Sequence, residues 1–166
     1  MKSKIKKIWH GDDSALYFRR EGKKQQKLDN VVYELKVDMY GEFYLSKVSD
    51  DFSFTHKIYG METKFIARTV KTYSAINHNL GVLLNGIKGT GKTVTAKIIC
   101  NELKQPVVLV NFKGDGVPLF LNSIEQEITI FVDEYEKVFG ETTSMLTIMD
   151  GALNSEFKRC FILTTN

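Results

Sequence analysis

Residues 86–93, near the middle of the chain, have the types and spacing of a phosphate-binding loop. They read Gly-Ile-Lys-Gly-Thr-Gly-Lys-Thr, a complete match to the P-loop pattern. In this pattern, glycines allow consecutive N–H groups to point at an anion. The lysine reaches the β- and γ-phosphates of a nucleoside triphosphate, and the last hydroxyl ligates Mg²⁺. The predicted nucleotide-binding residues are Gly86, Ile87, Lys88, Gly89, Thr90, Gly91, Lys92, Thr93 and Val94.

Two adjacent carboxylates, Asp133 and Glu134, follow the apolar run 128–132. If this run is a strand of a parallel sheet, the carboxylates lie at its carboxyl end, where α/β sheets bind ligands. Asp133 would then hold Mg²⁺, directly or through water, and Glu134 would polarise a water for attack on the γ-phosphate. A strand that ends in a solvated acidic turn is the ordinary alternative, but the loop upstream favours the functional interpretation.

Apolar runs and helical spacing indicate the elements that position these groups. A strand is expected just before the loop, at 82–84, and a helix just after it, at 94–103, which favours a P-loop over an ordinary glycine-rich turn. Alternation of strands with helices predicts an α/β fold, with a parallel sheet and flanking helices. Further strands are predicted at 107–110, 128–132 and 160–163, and helices at 62–76, from the end of the 111–118 loop to 124, and around 144–153.

The chain before the P-loop has the pattern of a small β-rich region. Apolar residues alternate over 31–39, a turn is expected near Tyr40 and Gly41, and apolar residues return over 43–48, which predicts a hairpin. We expect a boundary near residue 60. A β-rich N-terminal region would occupy residues 1–60, and the nucleotide-binding core would occupy residues 61–166.

The composition is that of an ordinary globular protein. Hydrophobic residues make up 43% of the 166 residues and charged residues 26%, and no apolar run approaches the roughly 20 residues that span a bilayer. The basic segment 1–10 lacks a following apolar stretch, so it is not a secretory signal, and a cytoplasmic location is expected. Cys100 and Cys160 lie among apolar residues without metal-ligand spacing, which predicts buried free thiols.

Positive charge is concentrated at the N-terminus. Residues 1–27 contain nine Lys or Arg and three acidic residues, a net charge of +6 in a chain whose total is +3. Trp9, Tyr17 and Phe18 lie among these charges, a pattern that suits binding of nucleic acid or an acidic partner. A solvated basic surface with aromatic core residues explains the same pattern, and the sequence leaves both interpretations open.

The order of these motifs resembles that of the AAA+ ATPases. The resemblance covers residues 62–166. It is carried by the P-loop, by the Asp133–Glu134 pair, by Met149-Asp150-Gly151, and by the final Phe-Ile-Leu-Thr-Thr-Asn. It implies that the nucleotide is ATP and that Asn166 is the sensor-1 residue, which helps to position the attacking water. The tripeptide and the Thr-Thr-Asn end look closest to the AAA branch that includes the Bcs1-type ATPases.

The sequence also departs from the pattern of that branch. Ile87 and Lys88 replace a common Pro-Pro pair, as in variants among phage and bacterial ATPases. AAA+ proteins continue past sensor 1 with a helix, a fifth strand, an arginine finger and a helical lid that carries sensor 2, and these have no counterpart in the sequence. We therefore expect an incomplete AAA+ core, truncated after sensor 1, in which the strand at 82–84 forms an exposed apolar edge.

Three functions are compatible with these motifs. The leading hypothesis is Mg²⁺-dependent ATP hydrolysis by a hexamer-like ring that remodels or translocates a protein or nucleic-acid substrate, with this chain alone weak or inactive. Lys92, Glu134 and Asn166 would be catalytic, and Thr93 and Asp133 would hold the metal. A nucleotide-switched DNA-binding or helicase-loader module is the alternative. A small-molecule kinase is disfavoured, because such an enzyme excludes water and gains nothing from a water-activating glutamate.

Overall fold

The described strands form one eight-stranded sheet. The computed structural model describes residues 8–11, 15–19, 27–55, 63–140, 149 and 156–166. The strands in chain order are β1 (Ile8–Gly11), β2 (Ala15–Arg19), β3 (Val32–Val37), β4 (Phe43–Ser49), β5 (Leu80–Asn85), β6 (Val107–Leu109), β7 (Ile128–Val132) and β8 (Arg159–Thr165). Their order across the sheet is β1-β2-β4-β3-β6-β7-β8-β5.

The sheet has an antiparallel part and a parallel part. β1, β2, β4 and β3 pair antiparallel, and β3, β6, β7, β8 and β5 run parallel. Parallel neighbours need crossover connections, which helices usually supply. The described helices are α1 (Thr63–Ala75), α2 (Lys92–Glu102), α3 (Val117–Ser123) and α4 (Tyr135–Phe139). This mixed α/β architecture confirms the predicted fold class. None of the described helices is long and apolar enough to cross a membrane.

Each face of the sheet has its own apolar core, because side chains alternate between the two faces of a strand. Ile66 and Tyr73 of α1 and Ile99 of α2 belong to the core on one face. Phe120 of α3 and Phe139 of α4 belong to the core on the other face. β7 lies between the two cores and all its residues are buried. That position explains why β7 appears in the sequence as a continuous apolar run.

Most elements lie where the sequence predicts them. The hairpin and the strands after the P-loop are confirmed, and α1 and α2 differ from the predicted helices by one or two residues at their ends. Cys100 and Cys160 are buried free thiols, as predicted. The sequence-based prediction does not include β1, β2 or α4. The five residues of α4 are too few to show helical periodicity. The helix predicted around 144–153 lies outside the described residues, apart from Met149.

The β3–β4 hairpin continues the same sheet as the nucleotide-binding half. β3 pairs with β6 in parallel register. Phe43, the first residue of β4, packs against Phe112 and Phe120, with ring centroids 6.3 and 5.5 Å apart. Backbone pairing and aromatic packing thus hold the hairpin against β6 and α3. The division of the chain near residue 60 stays a prediction.

β5, the strand before the P-loop, is an edge strand of the described sheet. It pairs with β8 along its whole length and with no other described strand. Val82 is 7% exposed and packs in a core, whereas Leu83 points away from the core and is 62% exposed. The buried strand expected at 82–84 is therefore buried on one face only, and the expected apolar edge is present among the described strands.

Arg159 is a cation buried at the start of β8, where it is 1% exposed. Its guanidinium donates to the main-chain carbonyls of Ile124, Gln126 and Phe157 at 2.5, 2.7 and 2.9 Å. Burial lowers the pKa of Arg159 to about 10, because a charge out of water is disfavoured. The side chain ties the segment between α3 and β7 to the start of β8.

Replacement of Arg159 by methionine is expected to lower the free energy of unfolding by about 3 kcal/mol, because buried carbonyl groups lose their donor. Urea denaturation measures this change. Arg68→Met, on the exposed part of α1, is the matched control and should change stability little. Equal losses in the two variants would contradict the proposed role of Arg159.

Candidate nucleotide-binding site

The loop between β5 and α2 turns the backbone sharply at the carboxyl edge of the sheet. Gly89 and Gly91 have φ angles of 87° and 86°, in the left-handed region where other residues are strained. The Thr90 hydroxyl donates to the Ile87 carbonyl at 2.9 Å. α2 begins at Lys92, so the unpaired N–H groups of its first turn and its positive dipole end lie beside the loop.

Lys92 links this loop to the last strand. Its Nζ donates to the main-chain carbonyls of Gly86 and Ile87, the latter at 2.9 Å, and to Asn166 Oδ1 at 3.0 Å. Asn166 directly follows β8, and the parallel pairing of β5 with β8 brings its amide next to the loop. The ammonium group therefore has protein oxygens as partners for its three donors.

Asp133 follows β7 and accepts two hydroxyl donors at one oxygen. Thr93 Oγ1 of α2 lies 2.8 Å from Asp133 Oδ1, and Thr164 Oγ1 of β8 lies 2.6 Å from it. Phe131 and Ile162 belong to the core that also contains residues of α2. Since side chains alternate, Asp133 and Thr164, two residues further on, point to the same face. α2, β7 and β8 thus meet at one carboxylate.

Glu134 leaves the strand through a left-handed turn, with φ 52° and ψ 58°. In a regular strand its side chain would point to the face opposite that of Asp133. The turn ends the alternation, and Asn166 Nδ2 lies 3.4 Å from Glu134 Oε1. The backbone N–H of Glu134 donates to Thr164 Oγ1 at 2.8 Å. Both carboxylates therefore border the same space.

Lys137, in α4, forms an ion pair with Glu134. Its Nζ lies 2.5 Å from Glu134 Oε2. The hydrogen bond from Lys137 holds the pKa of Glu134 below its ordinary value, and the charge of Lys137, the Asn166 hydrogen bond and the charge of Lys88 act in the same direction. Partial desolvation opposes this effect. The Glu134 carboxylate is therefore ionised at neutral pH.

A cavity of about 570 Å³ lies between the loop and the two carboxylates. Lys88, Lys92 and Lys137 contribute positive charge to its wall, and Asp133 and Glu134 contribute negative charge. This mixture suits an anionic ligand accompanied by a cation, and it does not suit an apolar ligand.

Most of the predicted site residues lie around this cavity. Gly86 and Ile87 contribute carbonyl groups that accept from Lys92, while the Ile87 side chain is 78% exposed. The roles of all the predicted site residues in binding and catalysis stay predictions. The predicted residues that line the cavity are Lys88, Gly89, Gly91, Lys92, Thr93, Val94, Asp133, Glu134 and Asn166.

Two residues at the cavity are absent from the sequence-based prediction, Thr164 and Lys137. The signal for Thr164 is its place at the polar end of an apolar strand, two residues before Asn166. The signal for Lys137 is its spacing from Glu134, because residues three apart on a helix are neighbours. That signal depends on recognising α4, whose five residues are too few to show helical periodicity.

A glycine loop that runs into a helix at the carboxyl edge of a parallel sheet, next to a strand that ends in carboxylates, defines the P-loop NTPase class of fold. The family model described as "ATPase family associated with various cellular activities (AAA)" matches residues 82–166, just over half of the chain. The chain therefore belongs to the AAA family. Membership confirms the predicted family at this level and indicates ATPase activity in general. A comparison with curated proteins finds no match.

Replacement of Lys137 by methionine is expected to raise the pKa of Glu134 toward its ordinary value, because the largest cause of its depression is removed. Carboxyl ¹³C NMR across a pH titration measures this shift. Lys137→Arg retains the cation and should leave the pKa depressed. An unchanged pKa in Lys137→Met would show that Lys137 does not hold the carboxylate.

Proposed function

We propose that this chain, when assembled with neighbouring copies, hydrolyses ATP with Mg²⁺ in the cavity between the P-loop and the Asp133–Glu134 pair. The observation that carries the proposal is the convergence of three elements on one cavity. Lys92 comes from α2, the two carboxylates follow β7, and Asn166 follows β8. Membership of the AAA family supports ATP hydrolysis in general.

The loop fits the phosphates of the nucleotide. No atom beyond the chain neighbours lies within 4 Å of the position that a Cβ would take at Gly89 or Gly91, so this backbone is open to a ligand. Lys92 donates to neutral carbonyl groups of Gly86 and Ile87. A phosphate oxygen would give the ammonium group a charged acceptor, which makes a stronger hydrogen bond.

The oxygen atoms beside the loop fit Mg²⁺. This ion prefers oxygen ligands, keeps several waters, and is usually held by one or two carboxylates together with phosphate oxygens. Thr93 Oγ1 and Asp133 Oδ1 lie 2.8 Å apart at the cavity wall. When bound, Mg²⁺ would neutralise charge that develops on the phosphate oxygens. The protein holds the two oxygens in place through the packing of α2 against the sheet.

Glu134 and Asn166 fit the activation of a water molecule. The ionised Glu134 carboxylate can orient a water and accept its proton as the water attacks the γ-phosphate. Lys137 engages Oε2. Oε1 accepts a long hydrogen bond from Asn166, at 3.4 Å, and has a second lone pair for that water. Asn166 contacts both Glu134 and Lys92, so its amide spans the base and the phosphate-binding lysine.

Two substitutions separate binding from chemistry. Lys92→Ala is expected to abolish ATP binding, because the main cation of the loop is removed. Glu134→Gln should keep the affinity within about threefold and lower kcat by about 100-fold or more, since the base is lost and the Mg²⁺ oxygens remain. Titration with a fluorescent nucleotide measures the ATP affinity, and phosphate release measures kcat.

The matched control for Lys92→Ala is Lys71→Ala, on the exposed part of α1. It should leave the ATP affinity and kcat unchanged. Equal loss of binding in Lys92→Ala and Glu134→Gln would contradict the separate roles.

We further propose that hydrolysis acts on a macromolecule that contacts the turn between β3 and β4. Met39 and Tyr40 in this turn are 88% and 85% exposed. Asp38 Oδ1 accepts from the backbone N–H groups of Tyr40 and Glu42, both at 2.9 Å, and Gly41 has a φ of 81°. Two large apolar side chains on an ordered turn are preorganised for a contact, which reduces the entropy lost on binding.

The position and charge of this turn favour a polypeptide partner. β3 runs parallel to β6, which runs parallel to β7, so the turn emerges at the same sheet edge as Asp133. Asp38 and Glu42 place carboxylates on both sides of the apolar pair, which disfavours nucleic-acid phosphates. Phe43 stacks on Phe112 in the loop after β6, which connects the turn physically to the parallel part of the sheet.

The double variant Met39→Ser/Tyr40→Ser is expected to bind a labelled, permanently unfolded polypeptide about tenfold more weakly, with ATP affinity unchanged. Fluorescence anisotropy measures both. Val48→Ser, at an exposed position of β4, is the control and should bind like the parent. If the double variant instead lost binding of single-stranded DNA, that result would favour the alternative of a nucleotide-switched DNA-binding or helicase-loader module.

Ring assembly and cellular location complete the proposal. By analogy with the AAA+ family we propose a hexamer-like ring in which a neighbouring subunit completes the site. We also propose a cytoplasmic location, as expected for a chain in which the basic segment 1–10 does not have the pattern of a secretory signal. Both stay predictions, and sedimentation of the protein with Mg²⁺ and a non-hydrolysable ATP analogue tests the first.

A further inference from the structure

We propose that the Thr164 hydroxyl positions both carboxylates of the site, and that Thr164 is therefore a positioning residue for Mg²⁺ binding and for water activation. This inference rests on the function proposed above and deepens it. Thr164 is 1% exposed, and its hydroxyl is the only described side-chain group that bonds to both Asp133 and Glu134.

Chemistry fixes the direction of both hydrogen bonds. The Asp133 carboxylate can only accept, so Thr164 Oγ1 donates its single proton to Oδ1 at 2.6 Å. The Glu134 backbone N–H can only donate, so Oγ1 accepts from it at 2.8 Å. Because the hydroxyl is buried, water does not readily replace either bond. Removal of the oxygen would leave an unpaired N–H and a carboxylate with one donor fewer.

The first consequence concerns the direction of the Asp133 carboxylate. Oδ1 receives hydroxyl donors from Thr93 on α2 and Thr164 on β8. Two donors from two elements leave the carboxylate little freedom to rotate. A carboxylate held in one orientation binds Mg²⁺ with less loss of entropy, and partners of this kind commonly affect metal affinity by 10–100-fold.

The second consequence concerns the direction of Glu134. Adjacent residues of a strand point to opposite faces, so two neighbouring carboxylates can serve one cavity only if the strand breaks between them. The break is the left-handed conformation of Glu134, at φ 52°, which is unfavourable for a residue with a Cβ. The bond from the Glu134 N–H to Thr164 Oγ1 stabilises this turn.

The first test measures the turn without nucleotide, so it does not depend on the proposed function. Thr164→Val replaces the hydroxyl by a methyl group of similar size. Amide hydrogen exchange of Glu134, measured by NMR, is expected to become about tenfold faster, because the amide loses its acceptor. Thr164→Ser keeps the oxygen and should exchange like the parent.

The matched control is Thr129→Val. Thr129 is a fully buried threonine on β7, and its hydroxyl accepts from Gln105 at 2.9 Å near the start of that strand. Its replacement removes an equivalent buried hydroxyl away from the cavity. The control should leave the exchange rate of the Glu134 amide unchanged, so a general loss of stability is separated from a loss of the turn.

The second test measures the site. In Thr164→Val, the Mg²⁺ concentration that half-saturates binding of a fluorescent ATP analogue should rise about tenfold. The affinity for the same analogue without Mg²⁺ should not change. The kcat for phosphate release should fall by a similar or larger factor, while Thr164→Ser retains both values and Thr129→Val changes neither.

Each outcome decides a different question. Faster exchange at Glu134 together with a higher Mg²⁺ requirement supports the proposal. Unchanged exchange in Thr164→Val, or equal effects in Thr164→Val and Thr129→Val, overturns it. If the parent protein binds no nucleotide, the proposed function fails, and the exchange measurement still shows whether Thr164 holds the turn. Faster exchange with an unchanged Mg²⁺ requirement would overturn the part of the proposal that concerns the metal.

Discussion

The position of β8 between β5 and β7 is the constraint on which the site depends. β8 pairs in parallel with both neighbours, and its residues up to Thr164 are buried. Because all three strands run in the same direction, the P-loop, the Asp133–Glu134 pair and the polar end of β8 emerge at one edge. A shift of β8 by one residue would turn Thr164 to the other face and separate Asn166 from Lys92. Packing on both faces of β8 makes such a shift costly.

Most of the charged groups of the site have protein partners in this geometry. Lys92 bonds to loop carbonyls and Asn166, Asp133 to hydroxyls, and Glu134 to Lys137. Binding of nucleotide and metal would therefore exchange one set of hydrogen bonds for another, and would not require the site to assemble from unpaired charges. Such preorganisation places dipoles and charges before the reaction begins, which is a major source of catalysis in phosphoryl transfer.

The sequence predicts the positions of the candidate site residues well where these residues are adjacent in the chain. The P-loop is recognisable because its glycines, lysine and threonine are consecutive, and β7 is recognisable because burial on both faces requires an unbroken apolar run. The position of Asp133 at the carboxyl edge follows from the parallel sheet alone, because Asp133 comes directly after a strand. These features need no knowledge of distant contacts.

The remaining features depend on contacts between distant parts of the chain. The bonds of Thr164 to Asp133 and Glu134 follow from the register of two strands, which the sequence does not specify. Leu83 has the same apolar character as Val82, and only the position of β5 at the described sheet edge makes it exposed. Lys137 reaches Glu134 through α4, which is too short for its periodicity to be seen.

A crystal structure of the protein with Mg²⁺ and a non-hydrolysable ATP analogue would show directly whether the cavity between the P-loop and the two carboxylates binds the nucleotide. We expect the β- and γ-phosphates within the 86–93 loop, with Lys92 Nζ on a phosphate oxygen in place of the Gly86 and Ile87 carbonyls. We also expect Mg²⁺ beside Thr93 and Asp133, and a water between Glu134 and the γ-phosphate. A nucleotide bound away from this loop, or a metal held without Thr93 and Asp133, would contradict the proposed site.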